Sequence, residues 1–330
     1  MQSARPSTRH PARPAVTDST VLPRVRAARR WLEQRVVGQD RLMQRLVVAL
    51  VCGGHLLVEG APGLAKTRAI KELARVVEGD FHRIQFTPDL LPGDITGSEI
   101  YRNETASFEF QPGPVFHNMV LADEVNRAPA KVQSALLEAM AEHQVTVGRR
   151  TLALPPLFLV MATQNPIEHE GAYPLPEAQL DRFLMLVRVD YPPPAVEHEI
   201  LRLAREEHAG LVSEEPEGRL SQEDVFRARR EASDVFMAPA VERYIVELVA
   251  ATRSREDLDY GASPRATIAL DQCARITAWL EGRDYTSPED VQSVAHDVMR
   301  HRLIPTFEAQ ARGVEMDVLI DDLLGDVPVP

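Results

Sequence analysis

Lys66 and Thr67 lie within the run VEGAPGLAKTRAI (58–70), with Gly60 opening a turn and Gly63 inside it. A run of this kind points successive backbone N–H groups and a helix N-terminus at phosphate oxygens. Its lysine reaches the β and γ phosphates and its hydroxyl holds magnesium. One position departs from the pattern G-x-x-x-x-G-K-[ST]: Ala65 stands where a second glycine is usual. A residue entering the first turn of a helix has ordinary helical angles, where alanine is favourable. The loop of Gly60, Ala61, Pro62, Gly63, Leu64, Ala65, Lys66 and Thr67 is therefore expected to keep its phosphate-binding shape. Taken alone, the stretch also reads as an ordinary strand, turn and helix with a chance lysine.

Two further constellations bear on that choice. LADE (121–124) ends an apolar run with adjacent carboxylates. Asp123 suits magnesium, directly or through water, and Glu124 suits polarising an attacking water. A solvated turn is the plainer alternative. ATQNP (162–166) puts Asn165 at the carboxyl end of another strand, where a parallel sheet presents its ligand-facing edge. An amide there can hold the lytic water against a γ phosphate, although Asn-Pro is also turn chemistry.

These residues need a sheet to carry them. Short apolar runs at 55–60, 82–86, 119–124, 157–163 and 183–189, separated by helical stretches, are the signature of a parallel sheet covered on both faces. The spacing predicts helices over 22–34, 41–52 and 66–77, with VVGQD (36–40) breaking the first two. Alternating residues predict a β-hairpin at 98–116 and another at 145–155, the latter turning at Gly148. YPPP (191–194) ends the sheet domain, since consecutive prolines continue neither a helix nor a central strand. Beyond it, 195–324 has helical periodicity and no convincing strand, and the acidic segment 316–330 reads as a last helix or short tail closing at Gly325. The fold expected is α/β, a five-stranded parallel sheet domain over 22–194 followed by an all-α domain over 195–330. Residues 1–21, rich in Pro, Ser, Thr and Arg, read as a solvated tail or a binding arm.

Composition narrows the function. With 330 residues, 44% of them hydrophobic, two domains are the expectation. A formal net charge of −12 and only three lysines (Lys66, Lys71, Lys131) disfavour a nucleic-acid partner. Cys52 and Cys273 have no neighbouring Cys or His at ligand spacing and read as buried thiols in a reducing compartment. The longest apolar run, 46–52, is far below the roughly 20 residues that span a bilayer, so a soluble cytoplasmic chain is expected.

The motifs VVGQD, GAPGLAKT, LADEVNRAP, ATQNPIEHEGAYPLPEAQLDRF and GASPRA, in this order, resemble the AAA+ ATPases and specifically the MoxR family, over about 22–324. In that family the alanine before the lysine is itself usual. The resemblance implies ATP and magnesium as cofactors, with Val37, Gly38 and Gln39 bordering the adenine. It makes Lys66 and Thr67 the phosphate and magnesium ligands, Asp123 and Glu124 the Walker B pair, and Asn165 sensor 1. Arg265, in GASPRATIAL, matches sensor 2, and its planar fork suits phosphate oxygens. A surface arginine at a helix start is the alternative. Arg182, in QLDRF, matches the position from which related motors send an arginine into the neighbouring subunit's site. Arg127 competes for that role, and Asp181 could simply pair with Arg182. The hairpins match the helix-2 insert and the pre-sensor 1 hairpin, so Phe108, Phe110 and Phe116 could touch a client or merely pack the hairpin down.

The resemblance implies a homo-oligomeric ring, a hexamer, that remodels or matures a protein complex, with a partner carrying a von Willebrand factor A domain. A nucleic-acid motor, supported by Arg149 and Arg150, is an alternative, as is a magnesium-chelatase-like subunit. A phosphotransferase built on the same loop would use a small-molecule acceptor pocket instead of Glu124 and a trans arginine.

Overall fold

A computed structural model describes residues 19–165, 173–211, 215–216 and 218–330. Most of the expected tail and the PIEHEGA part of the long motif lie outside the described residues.

Two helices, α1 (Leu22–Arg35) and α2 (Asp40–Cys52), precede β1 (Leu56–Gly60) and α3 (Lys66–Val76). Then come β2 (Phe81–Gln85), α4 (Pro92–Thr96), the hairpin β3 (Gly97–Arg102) and β4 (Ser107–Pro112), and β5 (Met119–Asp123). The series continues with α5 (Ala130–Glu142), the hairpin β6 (Gln144–Val147) and β7 (Arg150–Ala153), β8 (Leu159–Gln164), the short α6 (Glu177–Leu180) and β9 (Met185–Val189). The five expected strands form one sheet in the order β2-β5-β8-β1-β9, every pair parallel. Both expected hairpins are present, and Gly148 turns the second with φ 61°.

Alternation along the strands splits the core into two layers. Leu56, Val58, Leu121, Met161 and Val187 face α1, α2 and α3, whereas Leu57, Val120, Ala122, Val160 and Leu186 face the α5 side. The first layer is continuous with the core of the remaining helices: α7 (Pro194–His208), α8 (Gln222–Ser233), α9 (Pro239–Thr252), α10 (Pro264–Leu280), α11 (Pro288–Met299), α12 (Phe307–Ala311) and α13 (Met316–Asp326). α10 carries the fully buried Trp279 and packs on α2, α8, α9 and α11. The expectation of no strand here needs correcting. β10 (Phe236–Met237) pairs with β12 (Tyr285–Thr286), and β11 (Leu258–Tyr260) with β13 (Ile304–Pro305). Each is two or three residues long, too short to show a period of two. Cys273 is buried, but Cys52 is only half-buried, its Sγ 3.3 Å from Gln272 Oε1. Among the described residues no helix is long and apolar enough to cross a membrane.

A polar seam joins the two halves. Asp297 of α11, wholly buried, accepts from Arg45 Nε of α2 at 2.7 Å, from Arg41 Nη2 at 2.9 Å and from Arg300 Nη1 at 3.4 Å. Arg300 and Arg302 also donate to carbonyls in and just before the edge strand β9, Leu186 O at 2.8 Å and Leu184 O at 3.1 Å. His301 Nε2 reaches Phe183 O at 3.1 Å.

At the amino end of β1, His55 is buried between strands. Its Nδ1 accepts from the Val160 amide at 3.0 Å, so Nε2 carries the proton and donates to Met140 O at 3.2 Å. Burial lowers its pKa from 6.5 to about 4.

Removing the charge at Asp297 leaves the buried Arg45 without a carboxylate partner, while Arg300 keeps Asp317. Asp297→Asn is expected to cost about 3 kcal/mol in urea unfolding, and a loss below about 1 kcal/mol would mean the seam is not a buried ion network. For His55, the unfolded chain takes up a proton near pH 6.5 and the folded chain only near pH 4, so stability falls as pH drops through that window. The loss should approach about 3 kcal/mol by pH 4 and be absent from the stability-against-pH curve of His55→Asn, which keeps an acceptor for Val160.

Candidate active site

The phosphate-type loop leaves the carboxyl end of β1. Gly60 is required by close approach, since a Cβ there would lie 2.5 Å from the Val189 carbonyl oxygen. Gly63 has φ 84°, and Ala65 has φ 57° and ψ 14°, in the left-handed region. The expectation of ordinary helical angles at Ala65 is therefore wrong. Ala65 precedes the helix as its N-cap, so the backbone is still turning there, which is what makes glycine usual at this place. The loop nevertheless closes: Lys66 opens α3, and its Nζ donates to Gly60 O at 2.5 Å.

A cavity of about 350 Å³ lies over this turn, lined by Gly63 to Arg68 of the loop and by Asp123, Glu124, Thr163 and Asn165. The structure thus brings Lys66, Thr67, Asp123, Glu124 and Asn165 together at the carboxyl ends of β1, β5 and β8. Asp123 ends β5, and Glu124 follows in a left-handed conformation, φ 57°. Thr163, fully buried on β8, ties the pair: its hydroxyl donates to Asp123 Oδ1 at 2.6 Å and accepts from the Glu124 amide at 2.9 Å. Glu124 Oε2 accepts from Gln85 Nε2 at 2.8 Å and Arg127 Nη1 at 2.9 Å, while Arg83 donates to Asp123 Oδ2 at 2.6 Å. Sequence reasoning missed Thr163, Gln85 and Arg83. Each is a single polar residue on a strand, and the only available signal was that Arg83 and Gln85 share a face with each other.

A second, more apolar cavity of about 410 Å³ shares Pro62 to Ala65 and Arg68 with the first. Its walls are Val36, Val37 and Gln39 from the turn before α2, Tyr191 and Pro192 after β9, and Glu197, Ile200, Leu203 and Ala204 of α7. Size and lining suit a flat heteroaromatic base. Of the three residues expected to border adenine, Val37 and Gln39 line it, whereas Gly38 is the turn itself. Its φ is 79° and a Cβ would strike Val196 at 2.6 Å. Arg68 joins α3 to α7 through both oxygens of Glu207, and that hydrogen bond holds the Glu207 carboxyl below its ordinary range.

Arg182 and Arg265 are elsewhere. They share a cavity of about 370 Å³ with Gly53, Gly54, His55, Asp181 and Arg302. Arg182 precedes β9, whose first residue, Met185, pairs with Leu56 at the start of β1. The loop leaves the other end of β1, after Gly60, so strand length alone puts roughly 13 Å between the ends. Asp181 does not pair with Arg182. It binds Arg302 Nε at 2.8 Å and Ser263 Oγ at 2.9 Å, with Arg265 Nη1 at 3.8 Å, while Arg182 donates to Leu137 O at 2.8 Å. Arg127 is turned onto Glu124 of its own chain. On the β3–β4 hairpin, Phe108 is 67% exposed against Tyr101, whereas Phe110 and Phe116 pack edge to face and are only partly exposed.

The arrangement can cradle a nucleoside triphosphate, with carboxylates and an amide placed around its terminal phosphate. Comparison with known proteins agrees. Residues 55–185 match the ATPase family associated with various cellular activities (AAA), and 250–323 match the AAA lid domain. The chain is 48% identical over 304 residues to Chaperone MoxR1 of Mycobacterium tuberculosis, covering 89% of this chain and 79% of the relative. It is 33% identical over 330 residues to Protein MoxR of Paracoccus denitrificans, covering 93% and 96%. A crystal structure of a protein assigned as an ATPase from Cytophaga hutchinsonii superposes with TM-score 0.86 at 43% identity, covering 94% of this chain and 96% of that one. With its five-stranded parallel sheet, helical carboxyl-terminal region and nucleotide-type loop, the chain belongs to the MoxR family of AAA+ ATPases.

Proposed function

We propose that this ATPase is magnesium-dependent, works in the cytoplasm as a ring of like subunits, a hexamer, and uses hydrolysis to remodel a protein partner, as a chaperone-like maturation factor. The observation that carries the ring is the division of charge between the two ends of the sheet. Lys66, Asp123, Glu124 and Asn165 lie at the carboxyl ends, and Arg182 and Arg265 share a cavity at the other end. One chain thus offers a nucleotide cradle on one side and two guanidiniums on another, and a neighbour is needed to bring them together. We place the boundary between sheet domain and lid at residues 194–195, with α7 closing the base pocket from the lid side.

Thr67 and Asp123 line the same cavity and offer only oxygen donors, which fits a hard divalent cation. Magnesium there would neutralise charge on the β and γ phosphates. Around it, Lys66 binds phosphate oxygens, Glu124 polarises water and Asn165 orients it. A neighbour's Arg182 and Arg265 offset the charge that develops. The remodelling role is supported by similarity to the mycobacterial chaperone, and a partner with a von Willebrand factor A domain by the family resemblance.

Turnover per subunit is expected to rise with protein concentration. Arg182→Ala and Glu124→Gln should each lose activity by about 10³-fold or more, while an equal mixture recovers up to about a quarter of wild type, because one interface in four joins two intact halves. A mixture as inactive as either variant would remove the trans assignment. Ala65→Gly should retain ATP binding, since glycine accepts the left-handed turn without strain, whereas Ala65→Val should weaken binding about tenfold, because a β-branched residue resists it. Equal affinities in a calorimetric titration would show that the turn is not needed for binding.

A further inference from the structure

Nothing in the spacing of Cys52 and Cys273 links them, yet α2 packs against α10 and the two thiols hydrogen-bond. Cys52 Sγ also lies 3.3 Å from Oε1 of Gln272, the residue before Cys273 and 220 positions along the chain from Cys52. The pair is asymmetric. Cys52 is half-buried and lines the cavity of about 370 Å³ that holds Arg182 and Arg265, whereas Cys273 is fully buried and does not line it. A small solute entering that cavity meets Cys52 first.

The charges around the two sulfurs differ as well. Arg45 and Arg302, on the Cys273 side, are each taken by an aspartate, Asp297 and Asp181. Arg229, on the Cys52 side, is half-buried; it donates to Val51 O at 3.1 Å and Leu50 O at 3.3 Å, and among the described residues it meets no carboxylate. Those carbonyls belong to the last turn of α2, whose negative end would otherwise oppose a thiolate at Cys52. The guanidinium offsets that end and leaves the Cys52 sulfur as its anion. The hydrogen bond from Cys273, and then Arg229, hold the Cys52 thiol below its ordinary range against the effect of burial. The same hydrogen bond, with burial, pushes Cys273 well above it, so Cys273 keeps its proton and donates.

We propose that Cys52 and Cys273 form a hydroperoxide-reactive pair, in which Cys52 takes the oxygen and Cys273 resolves the product as a disulfide within the chain. The Cys52 thiolate attacks one peroxide oxygen. An S–O bond forms, the O–O bond breaks, and the departing oxygen takes up the proton that Cys52 gave up, leaving a sulfenic acid. The Cys273 sulfur then attacks the Cys52 sulfur. An S–S bond forms, the S–O bond breaks, and hydroxide leaves with the Cys273 proton as water. The two thiols lose two electrons in all, and hydrogen peroxide becomes two waters. The bond ties α2, packed on the sheet, to α10 of the helical half, and a reducing thiol reopens it. A reversible bond of this kind suits a compartment that keeps thiols reduced.

The test treats the full chain with hydrogen peroxide and reads intact mass and peptide maps without reductant. The wild type should lose two hydrogens per chain, yield a peptide joining Cys52 to Cys273, and regain both thiols in dithiothreitol. In Cys273→Ala the reaction should stop at a Cys52 sulfenic acid that dimedone captures. In Cys52→Ser, Cys273 should be oxidised at least about tenfold more slowly than the wild-type pair. The wild-type map needs no variant, so poor folding of either one leaves the test standing. Oxidised wild type linked between chains, or carrying sulfinic acid at Cys52 with Cys273 still free, would overturn the proposal. So would an unchanged rate in Cys52→Ser, or survival of both thiols in the folded chain at a peroxide level that oxidises the urea-unfolded chain.

Discussion

Everything at the amino-terminal edge of the sheet depends on the buried turn Arg300–Arg302. β9 is an edge strand, and an unpaired edge is a row of carbonyls that must be satisfied or covered. Here the carbonyls of Phe183, Leu184 and Leu186 accept from three consecutive basic residues of the helical half. Such charges enter an interior only if paired, and the pairing comes from Asp181, Asp297 and Asp317. The edge is closed and the two halves are joined by the same bonds. Asp181 then fixes Ser263 at the start of α10, so Arg265 stands beside Arg182 on a platform built from both halves.

The parallel sheet turns that platform into one of two chemically distinct ends. Carboxyl ends of parallel strands open into turns that lead to helix N-termini, which suits anions and places Lys66, Asp123 and Asn165 together. The amino end gathers guanidiniums instead. Neither end can borrow from the other within one chain, because the strands between them are too rigid to fold back.

Much of this was legible in the sequence where a residue pattern has a period or a fixed offset. Buried parallel strands write themselves as short apolar runs, hairpins as alternation, and the phosphate loop as a fixed spacing ending in Lys66-Thr67. Legibility ended where a side chain's meaning comes from a neighbour distant in sequence. Thr163, Arg83 and Gln85 belong to the carboxylate site only because β2, β5 and β8 are adjacent. Arg302 is unremarkable until Asp181, 121 residues earlier, meets it. The two-residue strands of the helical half have no periodicity to read. Ala65 was misjudged for a local reason: its position relative to the first helical turn was off by one residue, and that residue is where the chain bends left-handed.

Ala65 and Glu124 share that left-handed backbone, both with φ 57°, at the exits of two strands in one sheet. A non-glycine residue so placed costs on the order of 1 kcal/mol, and surrounding bonds must hold it. Glu124 is held by its amide on Thr163 and its carboxylate on Gln85 and Arg127. Ala65 has no polar side chain. Its carbonyl accepts from the Ala69 amide at 3.0 Å, and α3 anchors behind it through the fully buried Ala69, Ile70 and Leu73. At these two positions strain sits where the backbone leaves a strand beside the phosphate-type cavity, and it is offset by bonds already made within the chain. Because that offset is already in place in the isolated chain, a nucleotide meets a loop that has been bent in advance, and less of its binding energy goes into shaping the site.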